Sequence, residues 1–178
     1  QGHMPNNGSS LAYGSSLVIQ DIVSADGWSP PDVDRLLWET SAYGGVVHSD
    51  SWGDDTTAYT QRTGHFDAYA KAMPWSLAVI APGNSGEGVL EPANGRNVVA
   101  VSASLKDADE GRWGSSAYGP TEMGTDGIFL LAPGSNIQSA GADGFWDTNN
   151  ANLRLSSGTS MATPLAAGAA GVVQQLYE

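Results

Sequence analysis

Three short segments carry residue types that could do chemistry. The run Gly158-Thr159-Ser160-Met161-Ala162-Thr163-Pro164 opens a stretch rich in alanine and glycine. A serine where a loop enters a helix meets that helix's free N–H groups and the positive end of its dipole. An oxyanion forming beside Ser160 would be stabilised there, which suits a nucleophilic serine. A lone serine before a helix is usually just an N-cap. This longer run is more specific, because Ala162, Ala166, Ala167, Gly168, Ala169 and Ala170 let the helix pack deeply. The second segment, Val79-Ile80-Ala81-Pro82-Gly83-Asn84-Ser85-Gly86, reads as a buried strand ending in a glycine-rich turn with an amide side chain. The plainer reading of Asn84 is an Asx turn. The third is His48-Ser49-Asp50-Ser51-Trp52-Gly53, where Trp52 reads equally as a core aromatic with its indole N–H satisfied.

These segments need a scaffold. Leu17-Val18-Ile19 is a short apolar run that predicts a buried strand. Ser29-Pro30-Pro31 predicts a helix start, with Val33, Leu36, Leu37 and Thr40 on one face and Gly44-Gly45 at its end. A strand follows at Val46-Val47-His48. A second helix is predicted from Thr60 to Met73, with Phe66, Tyr69, Ala70 and Met73 inward and Pro74 as the stop. Further strands are predicted at 77–81, 98–102, 128–131 and 137–140. A long helix starts near Ser160, its apolar side including Leu165, Ala169, Val172, Val173 and Leu176. Strands alternating with helices imply βαβ units, a parallel sheet with right-handed crossovers, and a site at the carboxyl ends of the strands.

The chain has 178 residues, enough for one domain with a real core. Gln1-Gly2-His3-Met4 reads as the remnant of a cleaved affinity tag, which leaves residues 5–178 as the domain. The net charge of −12 argues against nucleic acid and against an anionic membrane surface. There is no cysteine, so disulfides and thiolate metal sites are excluded. No apolar run reaches the length of a membrane span, and no signal peptide is legible.

Together these segments resemble the subtilisin-like serine proteases, over almost the whole chain from about Gly8 to Tyr177. The nearest likeness is to the oxidatively stable alkaline protease branch, which shares a histidine-bearing strand before Ser-Trp-Gly and a Phe-Trp pair, here Phe145-Trp146. The resemblance implies a three-layer α/β fold around a parallel sheet, seen here as incomplete at the N-terminus. It places Ser160 as the nucleophile and Asn84 as the side-chain donor to the oxyanion, the preceding Thr159 lying in the same substrate-binding segment. Losing that donor costs about 3 kcal/mol in the transition state, a magnitude measured in a subtilisin and carried over by likeness. Ser51, Trp52 and Gly53 would pair with substrate backbone and wall the primary specificity pocket, with Ala81, Pro82 and Gly83 opposite. Pro82 departs from the alanine common there, and Ser115-Ser116-Ala117-Tyr118-Gly119-Pro120 lacks a usual arginine. Asn97–Ala103 and Ala132-Pro133-Gly134 also match the family. The resemblance further implies a secreted endopeptidase acting on polypeptides, with no required cofactor and calcium as a candidate structural ion.

A subtilase triad runs in the order Asp, His, Ser. Neither the His-Gly-Thr-His-Val-Ala-Gly motif nor the earlier Asp-Thr-Gly or Asp-Ser-Gly strand end occurs in this sequence. The only histidines are His3, His48 and His65. His3 falls in the tag remnant, His65 in an exposed helix, and His48 reads as a structural core residue. Asp50, Asp54 and Asp55 could orient a histidine or bind a hard cation, although a solvated acidic loop is the ordinary explanation. A serine without an adjacent base is a weak nucleophile. Two expectations follow: a protease chain inactive without an N-terminal complementing segment, or a non-catalytic peptide-binding or structural module. If N-terminal strands are missing, an exposed sheet edge and apolar face predict self-association or rearranged secondary structure near the N-terminus.

Overall fold

The computed structural model describes residues 10–24, 27–28, 32–106, 111–145, 147–148 and 152–177. In chain order these form β1 (Val23–Ser24), β2 (Gly27–Trp28), α1 (Val33–Ala42), β3 (Val47–Asp50), α2 (Gln61–Ala72), β4 (Leu77–Ile80), β5 (Val99–Ser104), β6 (Leu130–Pro133), β7 (Ile137–Ala140), β8 (Leu153–Ser156) and α3 (Thr159–Gln175). Strands β3-β4-β5-β6 make a parallel sheet in that spatial order. Short strands buried on both faces read as continuous apolar runs, as at Leu77-Ala78-Val79-Ile80.

Side-chain alternation splits the core in two. Ala78, Ile80 and Ala100 pack with Val33, Leu37, Phe66 and Tyr69 of α1 and α2. Val79, Val101, Ala103 and Ala132 face the other way, onto Ala162 and Ala167 of α3. Two helices, a sheet and one helix thus form three layers, as the family resemblance implies. Asp32 caps α1 by accepting from the Arg35 N–H at 3.3 Å, and Thr60 caps α2 by accepting from the Arg62 N–H at 3.2 Å.

Several expectations are corrected. Leu17, Val18 and Ile19 form no strand and are exposed. Their segment runs beside α1, where the Gln20 amide nitrogen donates to the Leu36 carbonyl and to Glu39, and the Thr40 hydroxyl donates to the Gln20 amide oxygen. Without a strand beside it, three apolar residues have no ladder to join. The strand expected at 128–131 lies at Leu130–Pro133, in register with Val101–Ser104. Val172 and Val173 of α3 and Leu176 just past it are exposed, and the helix buries Thr159, Ala162, Thr163 and Ala167 instead. β8 pairs antiparallel with β7 at a position where the sequence pattern signals no strand. Residues 1–9, Ser29-Pro30-Pro31 and Trp146, which figure in the sequence reading, lie outside the described residues.

Candidate active site

The N-terminus of α3 meets the turn after β4. The Thr159 N–H donates to Asn84 Oδ1 at 2.8 Å, and the Thr159 hydroxyl donates to the same oxygen at 3.1 Å. The amide oxygen is thereby engaged, and Nδ2 is left as the donor end of Asn84. Thr159 is the first residue of α3 and Ser160 the second, so the Ser160 N–H belongs to the first turn, which has no intrahelical acceptor. Ser160 itself is half-buried. A helix mouth, an amide donor and a serine therefore converge, bringing together residues 75 apart in sequence. Beneath them the Gly158 N–H donates to the Gly134 carbonyl at 2.8 Å. A Cβ at Gly134 would stand 2.7 Å from the Gly158 oxygen, so only glycine permits this approach.

The two segments expected as walls meet at the ends of β3 and β4. The Ala81 N–H donates to the Asp50 carbonyl at 3.0 Å, which joins the ends of β3 and β4. Ser51 follows on one side, and its hydroxyl donates to the Ser160 carbonyl at 3.0 Å. Gly83 turns away on the other side at φ 114°, where a Cβ would come within 2.8 Å of Leu90 Cδ1. The ring of Pro82 is fully buried, and its carbonyl accepts from the Leu90 N–H at 3.0 Å. A Cβ at Gly53 would stand 2.2 Å from the Glu91 carbonyl oxygen. Leu90 thus lies against Gly83, and the Glu91 carbonyl against Gly53. Sequence reasoning missed Leu90; its one signal was an apolar residue inside a glycine-rich turn. The segment 115–120 braces the same turn, with the Ala117 N–H donating to the Gly83 carbonyl at 3.1 Å.

Trp52 is a core-packed side chain. Its indole N–H donates to Asp50 Oδ1 at 3.0 Å, and its ring lies 6.3 Å from that of Phe66. The other Asp50 oxygen is buried with no hydrogen-bond partner among the described residues, and burial pushes the Asp50 pKa up to about 6. His48 is buried in the α1–α2 layer, its Nε2 3.2 Å from the Tyr69 hydroxyl. Desolvation lowers its pKa below the ordinary 6.5. It faces away from α3 and so does not approach Ser160. His65 sits on α2 beside Gln61. Arg62 bridges Asp54 and the buried Glu91, each at 2.5 Å. With Asp50 against Trp52 and Asp54 on Arg62, the acidic run does not gather into a cation cage. Among the described residues no three carboxylates or histidines come together as a metal site.

Residues 4–178 match the profile of the Subtilase family. The chain belongs to that family. Over 100 residues this subtilase is 41% identical to Subtilisin Savinase of Lederbergia lenta, an alignment covering 56% of the chain and 32% of the relative. An alkaline protease of Shouchella clausii is likewise 41% identical over 100 residues, 56% of the chain and 22% of its own length. The extracellular protease of Xanthomonas campestris pv. campestris is 28% identical over 181 residues, covering 93% of the chain and 29% of the relative. The chain therefore spans about a third or less of the curated relatives it matches. Among solved structures, the prenylagaramide maturation protease PagA superposes with a TM-score of 0.69 at 24% identity, over 87% of this chain and 53% of that one. Sphericase gives 0.67 at 24% identity, over 85% and 52%. These likenesses support the three-layer fold. No helix among the described residues is long and apolar enough to cross a membrane.

Proposed function

We propose that this subtilase serves peptide-bond hydrolysis through an acyl-enzyme on Ser160. The supporting observation is the pair of hydrogen bonds from Thr159 to Asn84 Oδ1, which sets an amide N–H beside the helix mouth that carries Ser160. In this scheme Ser160 Oγ attacks the scissile carbonyl while Asn84 Nδ2 and the Ser160 N–H hold the oxyanion. Collapse expels the amine, and water then releases the acid. Ser51–Gly53 and Ala81–Gly83 pair with an extended polypeptide, and Leu90 forms the floor that limits the side chain admitted between them. No cofactor enters the scheme.

The Oγ proton needs an acceptor. None of the described histidines reaches Ser160, so this polypeptide by itself should acylate slowly, and an N-terminal segment bearing the Asp and His motifs should restore the rate. Secretion fits the extracellular protease among its relatives. The same lack of a base supports a second reading, a module that binds extended peptides without cutting them.

Fluorophosphonate labelling with mass mapping tests the proposal. The expected result is slow labelling confined to Ser160, absent in Ser160→Ala and about 10²- to 10³-fold slower in Asn84→Ala. Labelling that survives Ser160→Ala would overturn it. An unlabelled chain that binds extended peptides would establish the module reading instead.

A further inference from the structure

Pro164 lies inside the first half of α3. In an α-helix the carbonyl of residue i accepts from the N–H of residue i+4. Proline has no N–H, and its ring pushes against the carbonyl four residues back. The carbonyl left without a helical donor is therefore that of Ser160. Its donor comes from another element: the Ser51 hydroxyl, 3.0 Å away and 109 residues earlier in the chain. The neighbouring Thr159 carbonyl, by contrast, receives the Thr163 hydroxyl at 2.9 Å from within the helix.

We infer that Ser51 is a positioning residue whose hydroxyl stands in for the N–H missing at Pro164 and thereby ties the Ser160 main chain to the strand that walls the cleft. The inference rests on the reading of Ser160 as nucleophile. Ser51 directly follows β3, whose last carbonyl is held by the Ala81 N–H at 3.0 Å. A shift of the first turn of α3 relative to the sheet would have to break or stretch the Ser51 bond. Substrate pairing along Ser51–Gly53 would in turn act on the main chain of Ser160. The bond is solvent-exposed, so water replaces it readily when it is lost. Its contribution is to placement and direction, with little effect on global stability.

The test uses the full chain carrying ¹³C at serine carbonyls, with three readouts: the Ser160 carbonyl resonance, the melting temperature and the fluorophosphonate labelling rate. Ser51→Ala should move the Ser160 resonance upfield and slow labelling about tenfold, with the melting temperature nearly unchanged. Ser51→Thr should keep the wild-type resonance and rate. Pro164→Ala added to Ser51→Ala should return the resonance, because the N–H it introduces can serve the Ser160 carbonyl, while labelling stays slow because the tie to the strand is still absent. An unmoved Ser160 resonance in Ser51→Ala would overturn the inference, as would a labelling loss that merely follows the melting temperature. A wild-type chain that never labels would overturn the nucleophile reading, and the resonance would still decide the link between Ser51 and Ser160.

Discussion

Asp50 has one oxygen on the Trp52 indole and the other buried with no partner among the described residues. On the same face of the sheet His48 pairs with the Tyr69 hydroxyl, and Arg62, which lies over the Trp52 ring, spends its guanidinium on Asp54 and Glu91. Burial raises the folded pKa from 3.8 to about 6. Between those values the unfolded chain has released the proton and the folded chain retains it, so stability falls as pH rises through that window and then levels off. The gap is worth about 3 kcal/mol at most. His48 acts in the opposite sense: its lowered pKa gives stability that is full above 6.5 and lost in acid. Asp50→Asn keeps an oxygen for Trp52 and should stabilise the chain above pH 6 while leaving it little changed at pH 4. Denaturant midpoints measured from pH 4 to 8 check this, and parallel curves for variant and wild type would refute it.

The helix that carries Ser160 shows what could be read in advance and what could not. Its start and the position of Asn84 were legible because glycine, serine and asparagine sit at fixed offsets in short motifs. Its buried face was not. A 3.6-residue period ranks large side chains first and so picks Leu165, Val172 and Val173, yet Val173 is 53% exposed. The side that meets Val79, Val101 and Ala103 is lined by Ala162 and Ala167, because only small residues allow the helix that close to the sheet. Leu17–Ile19 failed for a related reason: apolar composition predicts a strand, but only a neighbour completes one. Leu90 and the Ser51–Ser160 bond were illegible because they exist only after distant segments meet. Ala162→Leu should therefore cost about 1–3 kcal/mol or more through overpacking, while Val173→Leu should change little. Thermal or urea unfolding separates the two, and equal effects would show that α3 does not dock as described.

The whole chain carries 19 acidic and 7 basic residues, a net charge of −12. Such an excess repels itself, and added salt screens it. The melting temperature should therefore rise from 10 mM to about 0.5 M sodium chloride as the Debye length shrinks; a fall would mean that the Arg62 pairs outweigh the repulsion. Leu17, Ile19, Phe129 and Tyr177 are each more than 70% exposed. Apolar exposure on that scale predicts self-association, which light scattering across a concentration series would detect and a concentration-independent monomer would exclude. The contact between Asn84 and Thr159 joins a loop to a helix that the ribosome makes 75 residues later. A nascent chain therefore holds the amide before the helix that docks on it, and the pairing must wait for that stretch to emerge.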